Sequence, residues 1–240
     1  GYTYWNEGNL TWKLDANGTL TISGTGAMKN YNSSDNRSPV RNNSKVKKIV
    51  IEEGVTSIGN SAFESCNTLI SITIPDGVTS IENGTFYNCS SLTDIVIPNS
   101  VTSIKTAAFF DCSSLPSITI PDSVTSIGTY AFYNCRSLPS ITIPDSVTSI
   151  GNDAFYNCSS LKTISLSCKS SLKKSDFGDQ ADLVSYTNQH LLTKTEAKDA
   201  TCSEDGNKEY WTCEHCGKYF LSDDSNPETA KAVELSETVI

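Results

Sequence analysis

Histidine is nearly missing from this chain of 240 residues: there are two, His190 and His215, both towards the C-terminal end. A Ser-His-Asp arrangement therefore cannot be assembled anywhere else. Paired carboxylates recur only as aspartates after the prolines, which read as turn residues, so no enzyme activity is expected. Positive charge is also short, with 18 Lys and Arg against 27 Asp and Glu and a net charge of −9. Nucleic acid and anionic membrane both demand a positive field, and neither is expected as a partner. The Lys47-Lys48 and Lys173-Lys174 pairs are too short to reverse this and read as solvated surface. No apolar run approaches the ~20 residues that span a bilayer, so no membrane insertion is expected. The opening GYTYWNEGNL has neither the basic end nor the apolar stretch of a signal peptide. A mature or trimmed chain would read the same way. The polar, Thr- and Asn-rich middle suits a secreted or cell-surface protein.

What the chain has instead is repetition. From Ile51, Ile74, Ile97, Ile120 and Ile143 the same 23-residue text runs five times without insertion, as in IPDSVTSIGTYAFYNCRSLPSIT. A fixed period of roughly 20–29 residues with apolar spacing L-x-x-I-x-I marks a stacked solenoid of the leucine-rich type. Leu69, Leu92, Leu115, Leu138 and Leu161 open a short strand, followed by the rows from Ile72 to Ile164 and from Ile74 to Leu166. Alternate side chains of a strand point inward. Pro75, Pro98, Pro121 and Pro144 close the strand, having no N–H to extend a ladder. The Val and Ile of VTSI mark a second extended segment, and AF-x-x-C turns the corner as a short helical or 3-10 turn. Phe63, Phe86, Phe109, Phe132 and Phe155 should stack between coils.

Nine cysteines cannot all pair within one chain. Cys66, Cys89, Cys112, Cys135 and Cys158 fall one per repeat. Stacked coils would give them parallel Cα–Cβ vectors, a poor disulfide geometry, and they read as small buried hydrophobes. Asn88, Asp111, Asn134 and Asn157 should satisfy backbone groups at the turn, and Ser65 makes the first coil look less regular. Outward strand positions form two rows: Ser71, Asp94, Ser117, Ser140 and Thr163, then Thr73, Val96, Thr119, Thr142 and Ser165. They carry any binding the solenoid does. Small, hydroxylated and nearly uncharged, they suit a shallow contact with a polymer or protein, or plain solvated β surface.

The flanks lack the period. Residues 1–45 read as an N-terminal cap, with Leu10–Leu14 and Thr19–Ile22 forming a hairpin around Asp15-Ala16-Asn17-Gly18. That turn lacks the further acidic ligands of a calcium loop. Residues 46–182 read as the solenoid with a degenerate last coil. Its Asp176-Phe177-Gly178 matches a kinase tripeptide without any accompanying kinase motif. The overall expectation is a mostly β fold with short helical or 3-10 turns.

The repeat text, together with the opening GNLTWKLDANGTLTISGTGAM, resembles the BspA-like leucine-rich repeat proteins of bacteria. The repeat match spans about residues 46–166. The resemblance implies a secreted or surface-displayed protein, a repeat region without enzymatic activity, and relatives that include adhesins. The family's opening often continues to Pro-Trp, where this chain has Pro39-Val40.

Residues 183–240 read as a separate small Cys/His module. A C-x-x-C turn, Cys213-Glu214-His215-Cys216, lets two thiolates meet one ion, and zinc completes its tetrahedron with two more ligands. His190 and Cys202 are the natural pair, giving a structural Cys₃His zinc site, with His215 able to replace His190. Four protein ligands argue against an open catalytic position. A Cys202–Cys213 or Cys202–Cys216 disulfide is the alternative, and a thioredoxin-like role lacks the βαβ context. Trp211, Tyr210, Tyr219 and Phe220 should form the module's core. The segment resembles short modules that recur in tandem in surface proteins of anaerobic bacteria.

The reading is thus a non-enzymatic surface module that contacts a protein or glycan of host or microbial origin, or else a spacer within a larger surface protein. The ending ELSETVI has no terminal anchor signal, and the expectation is a piece of something longer.

Overall fold

The computed structural model describes residues 1–187, 189–200, 206–225 and 230–239. Its middle is a stack of 23-residue coils built from two rows of short parallel strands and one row of turns. In one row Lys48–Ile51 pairs with Ser71–Thr73, which pairs with Asp94–Ile95. In the other, Ser80–Ile81, Ser103–Ile104, Ser126–Ile127 and Ser149–Ile150 follow one another. Each residue pairs with its own copy 23 positions on, so like side chains meet like, and one buried apolar row supports the next.

The first row breaks between Asp94–Ile95 and Ser140–Thr142, although Ile118 and Ile120 stay buried. Just before the strand, the N–H of Ile70, Thr93 and Lys162 donates to the preceding coil, at 2.8, 3.0 and 2.9 Å. The equivalent positions in the interrupted stretch are Pro116 and Pro139, which have no N–H to give.

AF-x-x-C is the expected corner of 3-10-type turns, as in Cys66 N–H to Phe63 O at 3.1 Å and Cys89 N–H to Phe86 O at 3.1 Å. Alternate residues donate to the next coil instead, as Phe86 does to Ala108 O at 2.9 Å. This alternation needs left-handed backbone at two positions per coil. One is the row Ser65, Asn88, Asp111, Asn134 and Asn157, with φ between 57° and 62°. Asn and Asp tolerate that region best among residues with a Cβ. The expected irregularity at Ser65 does not occur: it takes the same φ and donates to Tyr87 O at 2.8 Å.

The aromatic column runs through the centre. Successive centroids from Phe63 to Phe155 lie 5.8, 5.3, 5.2 and 5.4 Å apart. Burying each ring contributes roughly 1.5–3 kcal/mol. Non-repeat residues extend the column at both ends: Trp12 meets Phe63 at 5.9 Å, and Phe177 meets Phe155 at 6.3 Å. The Phe of the kinase-like tripeptide is therefore a core residue.

The cysteines form a second column. From Cys89 onward each thiol donates to the Phe carbonyl one coil back, as from Cys89 to Phe63 O at 3.1 Å and from Cys158 to Phe132 O at 3.1 Å. Burial pushes Cys66 up to about 12 and the three central thiols well above their ordinary range, so all stay protonated.

At the N-terminal end Leu10–Leu14 and Thr19–Gly24 form the expected antiparallel hairpin. Asp15 closes its turn by accepting the N–H of Asn17 at 2.8 Å and of Thr19 at 2.9 Å. Thr19–Gly24 runs parallel to Lys48–Ile51, so the hairpin covers the first coil's open edge. A further strand, Thr3–Glu7, lies outside it, antiparallel to Leu10–Leu14. Coil geometry begins earlier than the polar text suggests. Val40, 23 residues before Phe63, is buried and accepts the Cys66 thiol at 3.4 Å. At the other end, the strand Val184–Tyr186 pairs in parallel with Thr163–Leu166, after a 3-10 segment, Lys174–Leu183.

Candidate metal centre

Three pairing registers bring four ligand side chains together. Leu166 lies beside Tyr186, and Thr187 N–H donates to Leu166 O at 2.7 Å. Cys168 follows Leu166 by two residues, and His190 follows Tyr186 by four. Antiparallel pairing of Leu192–Thr195 with Tyr210–Cys213 then sets Leu192 opposite Cys213. Finally, the Cys213–Cys216 turn folds back on itself, with Gly217 N–H to Cys213 O at 2.8 Å and Cys213 N–H to Lys218 O at 2.9 Å. Gly217 has φ +70°, which glycine adopts without strain.

The ligand atoms of Cys168, His190, Cys213 and Cys216 all lie within 4.8 Å of one another. Cys216 Sγ and His190 Nδ1 are 3.5 Å apart. Zinc bonds of about 2.3 Å to sulfur and about 2.0 Å to nitrogen, at a tetrahedral angle, imply about the same separation. The donor set of three sulfurs and one imidazole therefore suits a metal ion such as zinc.

The electrostatics are uneven across the site. Burial pushes Cys168 up to about 12, with Cys213 and Cys216 adding to the effect. Burial also raises Cys216. Burial opposes ionisation of Cys213 as well, yet the backbone N–H groups of Cys216, His215 and Leu191 outweigh it and hold that thiol below its ordinary value. Burial, with Lys218 nearby, lowers His190 and favours the neutral imidazole that binds metal.

Of the residues expected from the sequence, His190, Cys213 and Cys216 come together. Cys202 lies outside the described residues. Cys168 was missed because it stands in the degenerate last coil, outside both the C-x-x-C text and the repeat row. His215 points away, exposed, its Nδ1 3.3 Å from Gln189 O. Phe220 is buried and packs against His190 with centroids 4.6 Å apart and planes inclined by 49°, while Tyr210 and Tyr219 meet edge to face at 5.8 Å.

The ten outward strand residues all face solvent to some degree. Thr73, Asp94, Val96, Ser117, Thr119, Ser140 and Thr142 are exposed, and Ser71, Thr163 and Ser165 are half-buried. Val96, at 73 %, is the most exposed large apolar side chain on this face. A shallow depression of about 410 Å³ is lined by Ser117, Thr119, Ser140 and Thr142 with Asp122 and Pro144. A second outward row was passed over in the sequence. Tyr87, Phe110, Tyr133 and Tyr156 stack at 4.6, 4.5 and 5.4 Å. Its signal was available, since the residue after the buried Phe is aromatic in four of the five copies.

Three solved structures are similar to this chain. The T. pallidum leucine-rich repeat protein is 25% identical with a TM-score of 0.51, over 68% of this chain and 72% of its own. A leucine-rich repeat protein from Bacteroides ovatus is 28% identical with a TM-score of 0.45, over 69% and 45%. A leucine rich cell surface protein from Faecalibacterium prausnitzii is 25% identical with a TM-score of 0.44, over 91% and 60%. Comparison with curated proteins gives no match. The family described as BspA type leucine rich repeat region matches residues 40–115 and 79–198, in six copies. Those residues make up well over half of the chain, which belongs to the BspA type leucine-rich repeat family.

Proposed function

We propose that this chain is a non-catalytic module of a bacterial cell-surface or secreted protein, contacting a protein or glycan through the strand face of its solenoid. The observation that carries this is the face itself: seven exposed, small or hydroxylated side chains in two continuous rows, with one acid and no base among them. Such a surface makes many weak, neutral contacts with an extended partner rather than one deep one. Surface display is supported by family resemblance and by the polar composition. The test is binding of the intact chain to panels of extracellular matrix proteins and of glycans, with Thr119→Lys and Thr142→Lys as face variants. Saturable binding that both variants weaken is expected.

The second reading, a spacer that holds other domains away from the cell, is favoured by the junction between solenoid and module, where Cys168 packs with Cys213 and Phe220. Absence of saturable binding on both panels would favour it.

The cluster of cysteines and His190 holds one structural zinc ion. Three thiolates and Zn²⁺ leave a single negative charge, which the Lys218 ammonium near His190 offsets. Elemental analysis of protein purified without chelator should give one equivalent of zinc. Less than about half an equivalent, with a mass lower by two protons, would replace the zinc by a disulfide.

A further inference from the structure

We propose that the zinc is a clamp: Cys168 of the solenoid supplies its fourth ligand, so that one ion is shared between the last coil and the terminal module and fixes the second to the first. The inference rests on the zinc reading above and adds the identity of the fourth corner and what it does.

Cys168 does not belong to the cysteine column. That column advances by 23 residues from Cys66 to Cys158, and its next member would be position 181, an alanine. Nor does Cys168 pack into the solenoid core. It is 3 % exposed, but its apolar neighbours are Cys213 and Phe220, both from the module, with Leu192, Trp211 and Cys216 around them. Its backbone, by contrast, is held by the solenoid side. Lys169 N–H donates to Ser167 Oγ and Ser170 N–H to Ser167 O, both at 3.1 Å, which sets Cys168 in a tight turn directly after the strand Thr163–Leu166. A side chain anchored in one unit and buried in the other, its sulfur within 4.8 Å of three further metal-binding atoms, is placed to join the two.

The chemistry makes the joint conditional. Three ligands from the module and one from the coil close the tetrahedron only when module and coil are docked. Metal binding is therefore linked to docking, and the free energy of one supports the other. The connection between the units runs through residues 187–189, of which Thr187 and Gln189 are exposed. With the clamp closed, the module continues the solenoid as one body; with it open, that connection is the remaining covalent tie.

The test uses the full chain loaded with Zn²⁺ or with Co²⁺, and the Cys168→Ser, Cys168→His and Cys202→Ser variants. Cys168→Ser should lose about one third of the thiolate-to-cobalt charge-transfer intensity, three thiolates becoming two. It should also become cleavable by subtilisin between solenoid and module in the presence of zinc, where the parent chain resists. Cys168→His should restore that resistance, and Cys202→Ser should match the parent in both readouts. Mapping of iodoacetamide labelling on the unmodified zinc-loaded chain needs no variant, and Cys202 should label while Cys168, Cys213 and Cys216 do not. Unchanged intensity in Cys168→Ser, any loss in Cys202→Ser, or zinc-dependent protection of Cys202 would each overturn the clamp while leaving a zinc site in the module. Failure of the parent chain to take up stoichiometric metal would instead remove the zinc reading itself, and the clamp with it.

Discussion

The ring of Phe177 stacks on that of Phe155, with centroids 6.3 Å apart and planes inclined by 29°. One belongs to the last repeat and the other to the irregular segment after it, so the column that stabilises the solenoid ends on a residue the period does not contain. Trp12 does the same at the other end. A stack of identical coils always leaves its outermost apolar faces bare, and each must be covered by a residue from outside the repeat.

Truncation of this column should therefore cost different amounts along its length. Phe109→Ala, with a ring on either side, should destabilise by about 3–5 kcal/mol. Phe177→Ala has a repeat ring on one side only and should cost less, while increasing hydrogen exchange in the last coil before the middle ones. Urea unfolding midpoints and exchange rates check both statements.

The cysteine column should be inert in the folded protein. Burial holds Cys89, Cys112 and Cys135 well above the ordinary thiol range, so the reactive thiolate is scarce even at about pH 9. Iodoacetamide labelling of these three should track unfolding rather than pH. Cys112→Ala should cost about 1 kcal/mol, from lost burial and from the lost contact of its thiol with Phe86 O at 3.2 Å.

Relief of backbone strain should stabilise the third coil. Ala107 sits at φ 54°, where the preceding coil carries Gly84 at φ 60°. An L-residue there costs about 1–2 kcal/mol, partly offset by the greater entropy glycine loses on folding. Ala107→Gly should raise the thermal midpoint, with a net gain of about 0.5–1 kcal/mol.

The N-terminal cap should carry a pH dependence. Burial raises the Glu7 carboxyl above its ordinary value, although the N–H of Lys29 donates to it and pulls the other way. Tyr31 donates its hydroxyl to the second oxygen. A raised folded-state pKa means that the folded protein holds the proton more tightly than the unfolded chain. The contribution is complete below the ordinary carboxylate range and is lost as pH rises through the folded value. Glu7→Gln should flatten the corresponding fall in stability, read from urea midpoints over about pH 4 to pH 8.

Much of the solenoid was legible because an exact period leaves few choices. When each residue neighbours its own copy, a row of Phe must be a column of rings and a row of Cys a column of thiols. The corner turns, the hairpin around Asp15 and the outward rows from Ser71 to Ser165 followed from the same local rules. What escaped were features whose partners lie at other distances along the chain. Val40 read as part of the cap because a single valine in polar text has no periodicity of its own. The interruption of the strand row at Pro116 and Pro139 needed the knowledge that the equivalent residues Ile70, Thr93 and Lys162 donate across coils. His190, Cys202, Cys213 and Cys216 were visible as a candidate ligand set, since C-x-x-C is a local signal; Cys202 lies outside the described residues, and Cys168 gave no such signal.

The amino-acid sequence alone determined the repeat architecture, its buried columns and the bland outer face, because each depends on contacts at a fixed separation of 23 residues. Only the tertiary structure decided how the stack begins and ends, and that a cysteine of the last coil meets His190, Cys213 and Cys216 of the module. Those contacts depend on where the parallel strands Thr163–Leu166 and Val184–Tyr186 release the chain, and no periodicity encodes that point.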